Sequence, residues 1–215
     1  MAKTGSGDRF GLVFLLLSTS FLLSAFVSGR PGEAIPLVLY VVALAFLLRP
    51  ARLPGPGWRW PGRILLAGGA LSVLVTELTR HGIARGTATL WFAALLVFAI
   101  TTVLWRIARA KVVTLETIFG ALSGYLLIGF TYAALLGSVS HFEHGALFAM
   151  GQPATQSTIQ YFAFVTMTTT GYGDFVPASE PARTLAVADA LTGQIFLVTL
   201  VARLVSILGT SRDGD

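Results

Sequence analysis

Six apolar runs, each near the length that crosses a bilayer as a helix, limit this chain's fold more than any other feature. They cover about 10–29, 33–49, 63–80, 87–107, 113–138 and 181–208, against the ~20 residues a spanning helix needs. Hydrocarbon offers a peptide group no hydrogen bond, so segments of this kind must satisfy their own backbone as helices. The composition agrees: 54% of residues are hydrophobic and 12% charged, roughly half the charged share of a soluble domain. The second run starts near either Pro31 or Pro36. A seventh stretch, 157–168, is too short to span. It reads as a half-membrane helix that dips in and returns, which requires protein around it. The fold expected is therefore an all-α membrane protein of six transmembrane helices, with a re-entrant helix between the fifth and sixth.

The net charge of +5 is explained by topology rather than by a nucleic-acid partner. With the N-terminus in the cytoplasm, Lys3, Arg9, Arg49, Arg52, Arg59, Arg63, Arg106, Arg109, Lys111, Arg203 and Arg212 fall inside. Arg30, Arg80, Arg85 and Arg183 fall outside. Eleven against four satisfies the positive-inside rule with both termini cytoplasmic, as for a multi-pass protein of the plasma (inner) membrane. Trp58, Trp60, Trp91 and Trp105 sit near span ends, as interfacial anchors do. The first run is either an uncleaved helix or, given Lys3 and Arg9 ahead of it, a signal peptide. Residues 50–62 are rich in proline and glycine and read as a short loop. Only about seven residues follow Leu208, so no cytoplasmic ligand-binding domain is expected there. There is no cysteine, no nucleophile–base set and no phosphate loop, so neither an enzyme nor an organic cofactor is expected. His141 and His144 could titrate near neutrality or bind a metal; solvated loop residues are the plainer reading.

The string Thr169-Thr170-Gly171-Tyr172-Gly173-Asp174 is short but suits a specific physical purpose. A dehydrated cation crossing a membrane needs oxygens in place of its water shell. A row of inward-pointing backbone carbonyls supplies them. Keeping that geometry requires positive φ at some positions, which glycine tolerates because it lacks a Cβ. Gly171 and Gly173 stand where the backbone must be unusual, and the Thr169 hydroxyl can add a further oxygen at the inner end. A capping box of Ser157 and Gln160 is expected to open the half-helix before this string. Its C-terminal partial charge would then favour a cation at the membrane centre.

The string resembles the T-V-G-Y-G-D signature of potassium channels, with Thr170 where valine is commonest. Residues from about 113 to 208 resemble that family's pore unit of outer helix, pore helix, filter and inner helix. The resemblance implies K+ as the permeant ion, held by the carbonyls of Thr169, Thr170, Gly171 and Tyr172, with Gly173 completing the filter. Tyr172 would point away from the ion path. Asp174 would be held from the pore helix by Tyr161, which stands where the family often has tryptophan. Val165 stands where some relatives carry a glutamate. On the inner helix, begun at Pro181 after Ser179 or Glu180, Gly193 matches a proposed gating hinge; close helix packing is the alternative. Gln194, Leu197 and Val201 follow on one face and would line the cavity. Asp189 could bond behind the filter, meet a neighbouring subunit or reach the wet outer interface. One chain carries one filter strand, so a homotetrameric pore is expected, its only other partner being membrane lipid.

Six spans with the pore last also resemble the voltage-gated layout, in which residues 1–111 would form a four-helix sensor-like domain and 112–215 the pore domain. Yet the span 87–105 carries no Arg or Lys. Arg106, Arg109 and Lys111 cluster at its inner end, Glu33 and Glu77 lie at span ends, and Glu77 can pair with Arg80. The function expected is a potassium-selective channel with weak or no voltage dependence. The alternatives are a less selective monovalent cation channel or a non-conducting modulatory subunit.

Overall fold

The computed structural model describes residues 10–26, 42–47, 60–62, 64–65, 67–69, 71, 82–109, 114–143 and 145–210. Residues 42–47 are helical, and five longer helices carry the rest of the architecture: α1 (Phe10–Phe26), α2 (Gly82–Arg109), α3 (Leu115–Phe142), α4 (Gln156–Met167) and α5 (Glu180–Thr210). Among the described residues there is no strand, only an isolated antiparallel bridge between Phe148 and Pro177. α2, α3 and residues Glu180–Arg203 of α5 are long and apolar enough to cross a membrane, while the apolar helix Phe10–Ser24 is shorter. Most of the second and third expected spans lies outside the described residues, as do Glu33, Glu77, Arg80, Lys111 and His144.

α2 starts five residues before the expected span and α3 runs four past its expected end. Hydropathy marks only the lipid-facing middle of a helix, whereas caps set its ends. α3 begins after Thr114, whose side chain accepts from the Thr117 backbone N–H while the Thr117 side chain answers the Thr114 N–H. α2 and α3 pack antiparallel: Thr89, near the start of α2, meets Ser138, near the end of α3, hydroxyl to hydroxyl at 3.0 Å. Leu96, Ala99, Val103 and Leu127 are fully buried between them.

α1 has apolar residues all round, as a helix enclosed by protein and lipid does. It runs parallel to α3, with Phe14 on Phe119 at 5.7 Å and Phe21 on Phe130 at 6.4 Å between ring centroids. At its start the Phe10 backbone N–H donates to Glu116 Oε2 at 2.7 Å, so a carboxylate takes one of the helix's unsatisfied N-terminal donors. At its other end α1 reaches α4. Phe21 lies 4.6 Å from Phe164 between centroids, and Gln160 Nε2 donates to Ser24 Oγ at 2.7 Å. Gln160 is buried. α3 thus has α2 and α1 behind it and α4 and α5 before it, and α4 is held from both sides.

A double-mutant cycle between Ser24→Ala and Gln160→Leu should show a favourable coupling of about 0.6 kcal/mol, typical of a hydrogen bond within a membrane protein. Unfolding in detergent measures it, and additive effects would mean the pair is not coupled.

Candidate functional site

The site is built on α4. Its N-cap lies two residues before the expected one. Thr155 is the N-cap, its hydroxyl accepting from the Thr158 backbone N–H at 3.2 Å while Thr158 Oγ1 accepts from the Thr155 N–H at 2.9 Å. Ser157 and Gln160 do not form the box. Gln160 faces α1 and is engaged by Ser24, so it cannot also turn back on its own helix end. The twelve residues of α4 make about 18 Å at 1.5 Å per residue, half a membrane.

The end of α4 sets the path of the strand beyond it. Thr168 is the C-cap. The Thr169 N–H donates to the Thr166 carbonyl at 2.8 Å and the Thr170 N–H to the Val165 carbonyl at 3.0 Å. That pair of bonds is a Schellman motif, which needs a left-handed residue just past the cap. Thr169 supplies it with φ of 58°, the only non-glycine with positive φ among the described residues. A β-branched residue there is a genuine outlier; such conformations cost on the order of 1–3 kcal/mol and persist only where the surroundings impose them. Beyond it, Gly171 has φ of 50° and Gly173 of 79°. Positive φ thus recurs at every second residue, 169, 171 and 173, while Thr170 and Tyr172 keep negative φ. Such alternation brings successive carbonyls to one side of a chain. The Thr169 hydroxyl donates to the Thr168 carbonyl at 2.7 Å, which leaves its own lone pairs free to face a cation. Thr170 Oγ1 lies 3.0 Å from Thr168 Oγ1, a side-chain link that valine could not make.

Asp174 is held three ways. Tyr161 Oη donates to Oδ2 at 2.8 Å, the Phe175 N–H donates to Oδ1 at 3.1 Å, and Gln152 Nε2 donates to its backbone carbonyl at 2.6 Å. Gln152 carries no motif, so only the folded chain reveals its part. The loop between α3 and α4 is pinned to the segment after Asp174: Ala149 N–H donates to the Val176 carbonyl at 2.8 Å and Ala178 N–H to the Leu147 carbonyl at 2.9 Å. Phe148 anchors this clasp, fully buried with Phe162 and Phe175 packed edge-on against it.

α5 starts one residue before Pro181, with Ser179 Oγ accepting from the Ala182 N–H at 3.4 Å. It seats on the base of α4 at Gly193. A Cβ at this position would stand 2.6 Å from Met167 Cγ and 2.7 Å from the Met167 carbonyl oxygen. Only glycine permits that approach, because the backbone oxygen cannot swing aside. Gln194 is half-buried, whereas Leu197 and Val201 are exposed, as are Val187, Leu191, Ile195 and Val198. Thr169, Thr170, Gly171, Tyr172 and Gly173 are also exposed, Tyr172 at 71%. Asp189, by contrast, is completely buried inside the single chain. It therefore neither meets the outer interface nor faces a neighbouring copy. Val165 is half-buried and offers the Asp174 clasp no acid. His141 lies in the last turn of α3, and among the described residues no group of three or more His, Asp or Glu could hold a metal.

Tyr161→Phe removes the donor to Asp174 Oδ2 while keeping the ring against Phe175. It should hasten the decay of ionic current under sustained driving force and leave ion preference unchanged. Macroscopic current recordings on the two proteins check this, and an unchanged decay would mean that Gln152 and the Phe175 N–H suffice.

Residues 120–209, which take in most of α3, all of α4 and most of α5, match the family model for ion channels. Over 94 residues the chain is 35% identical to "Two pore potassium channel b" of Oryza sativa subsp. japonica, a match covering 41% of this chain and 26% of that protein. The chain thus aligns with about a quarter of the length of that relative. No solved structure matches it.

Proposed function

We propose, for a chain whose residues 120–209 match the ion-channel family model and which is similar in part to a potassium channel, passive, selective conduction of K+ across the membrane through a pore that four copies complete around one axis. The observation that carries this is the alternating left-handed backbone at Thr169, Gly171 and Gly173 directly after a half-membrane helix. The carbonyls of Thr169, Thr170, Gly171 and Tyr172 coordinate the dehydrated ion, and Gly173 lets the strand continue to Asp174. The end of α4 adds its partial negative charge from below.

Assembly draws support from what one chain leaves uncovered. Tyr172 and the apolar row Val187, Leu191, Ile195 and Val198 on α5 are exposed in a single copy, and neighbouring copies are the natural cover for both. Gln194, Leu197 and Val201 line the cavity below the filter, with Gln194 offering the polar contact for a hydrated ion. Gly193 marks where α5 swings if it bends.

Weak or absent voltage dependence is in keeping with the composition of α2. Moving a charge through the field is worth about 2.3 kcal/mol per 100 mV, yet α2 has no Arg or Lys between Arg85 and Arg106. Its inner guanidiniums are engaged at the helix end, Arg106 over the Phe10 ring at 5.6 Å and Arg109 over Trp105 at 4.1 Å. The chain sits in the plasma (inner) membrane with both termini cytoplasmic, surrounded by lipid. Residues 1–111 form a sensor-like unit without its gating charges, beside the pore unit 112–215.

Purified protein in liposomes should pass K+ and exclude Na+ under equal gradients. Gly171→Ala should abolish the flux, because an L-residue at that φ costs about 1–2 kcal/mol in each of four strands. Equal flux of both ions would make this a less selective cation channel and implicate Thr170. No flux of either would favour a modulatory subunit. A conductance–voltage curve that moves several charges per channel would refute the role given to α2.

A further inference from the structure

Asp189 takes no part in the proposed pore, and its surroundings are unusual for an acid. It lies one turn outward of Gly193 on α5, at the seat of α5 on α4. It is 0% exposed in the single chain, and neither Oδ1 nor Oδ2 has a hydrogen-bond partner. Among the described residues, the groups packed round it supply no cation. α3 brings Tyr125, whose ring stacks on Phe196 at 5.9 Å, and Tyr132, whose hydroxyl is already paired with Thr192 at 2.8 Å. α4 has Tyr161, bound to Asp174 at its opposite end. On α5 itself, Arg183 pairs with Glu180 at the outer end and Arg203 donates to the Ala108 carbonyl at the inner end. From α2, Arg106 and Arg109 stay at the inner end on Phe10 and Trp105. An ionised carboxylate in such a place would keep the whole cost of lost solvation, with nothing to offset it. A carboxylic acid would not.

We propose that Asp189 is a proton-binding site that reports whether α5 is seated on α4: the carboxyl carries its proton while the Gly193–Met167 contact is closed and releases it to water when that contact opens. The O–H bond breaks, the electron pair stays on the carboxylate, and water or buffer accepts the proton. Seating and proton binding are then linked. The seated state binds one more proton per subunit than the unseated state, so raising the pH favours unseating. Opening the seat frees the inner helix, so conduction rises with pH, by up to about tenfold per pH unit for each proton coupled to opening. The link to conduction rests on the proposed K+ pore; the proton site itself does not.

The experiment pairs infrared difference spectroscopy with K+ flux, on the full chain in lipid, across a pH series from acid to alkaline. In the spectrum of wild type minus Asp189→Asn, a protonated-carboxyl band should be present at neutral pH and fade as the pH rises, in step with rising flux. Asp189→Asn, which stays neutral at every pH, should give a flux that no longer responds to pH. Gly193→Ala, which wedges the seat open, should lose the band at neutral pH. No such band in wild type at neutral pH, or a band that survives in Gly193→Ala, overturns the proposal. So does an unaltered pH response in Asp189→Asn. If wild type carries no K+ at any pH, the conduction reading fails alone. The band and its response to Gly193→Ala still decide whether Asp189 binds a proton and senses the seat.

Discussion

A strand of backbone in the middle of a membrane has nowhere to place its peptide groups, and the rest of this chain is arranged around that difficulty. In water, solvent would serve the N–H and C=O groups of residues 168–174; in hydrocarbon each one left alone costs several kcal/mol. The N–H groups of Thr168, Thr169, Thr170 and Gly171 are taken by the carbonyls at the end of α4. Asp174 closes the outer end through Tyr161, Gln152 and its own neighbour. The clasp at Phe148 and Pro177 fixes the return path. A run of carbonyls on one strand is left over, and the proposed function is their use.

Holding that strand in place is a matter of packing, because lipid supplies no hydrophobic drive between helices. Gly193 lets α5 lie on the Met167 carbonyl, and Phe164 meets Phe130 of α3 and Phe21 of α1. α1 is therefore part of the wall behind α4. α1 packs on both α3 and α4.

What could be read in the sequence was local. Gly171 and Gly173 announce left-handed backbone because no other residue adopts it freely, and the short apolar run after residue 157 announces a half-membrane helix by length alone. The true cap at Thr155 was hidden because Gln160, the better match to a capping pattern, is claimed by Ser24 at a distance of 136 residues. Left-handed Thr169 was hidden because nothing in threonine's own preferences asks for it; the Schellman end of α4 imposes it. Gln152 sits in no motif, and the complete burial of Asp189 shows only in the fold. The residues of the proposed filter are thus the ones that sequence picks out, and most of those that hold this segment in place are not.

The reach of α1 also bears on how the protein comes to be. Its contacts to α4 and α3 join residues 136 and 106 positions apart, so α1 is completed only by segments made long after it. Contacts of such separation form late, since a long intervening loop must be closed before they reward the chain. Until then α4, a half-length helix with an irregular tail, has α3 behind it but lacks the contact with α1. α4 is therefore the element most exposed to error during insertion, and a chain that stalls before residue 156 leaves Ser24 without its Gln160 partner.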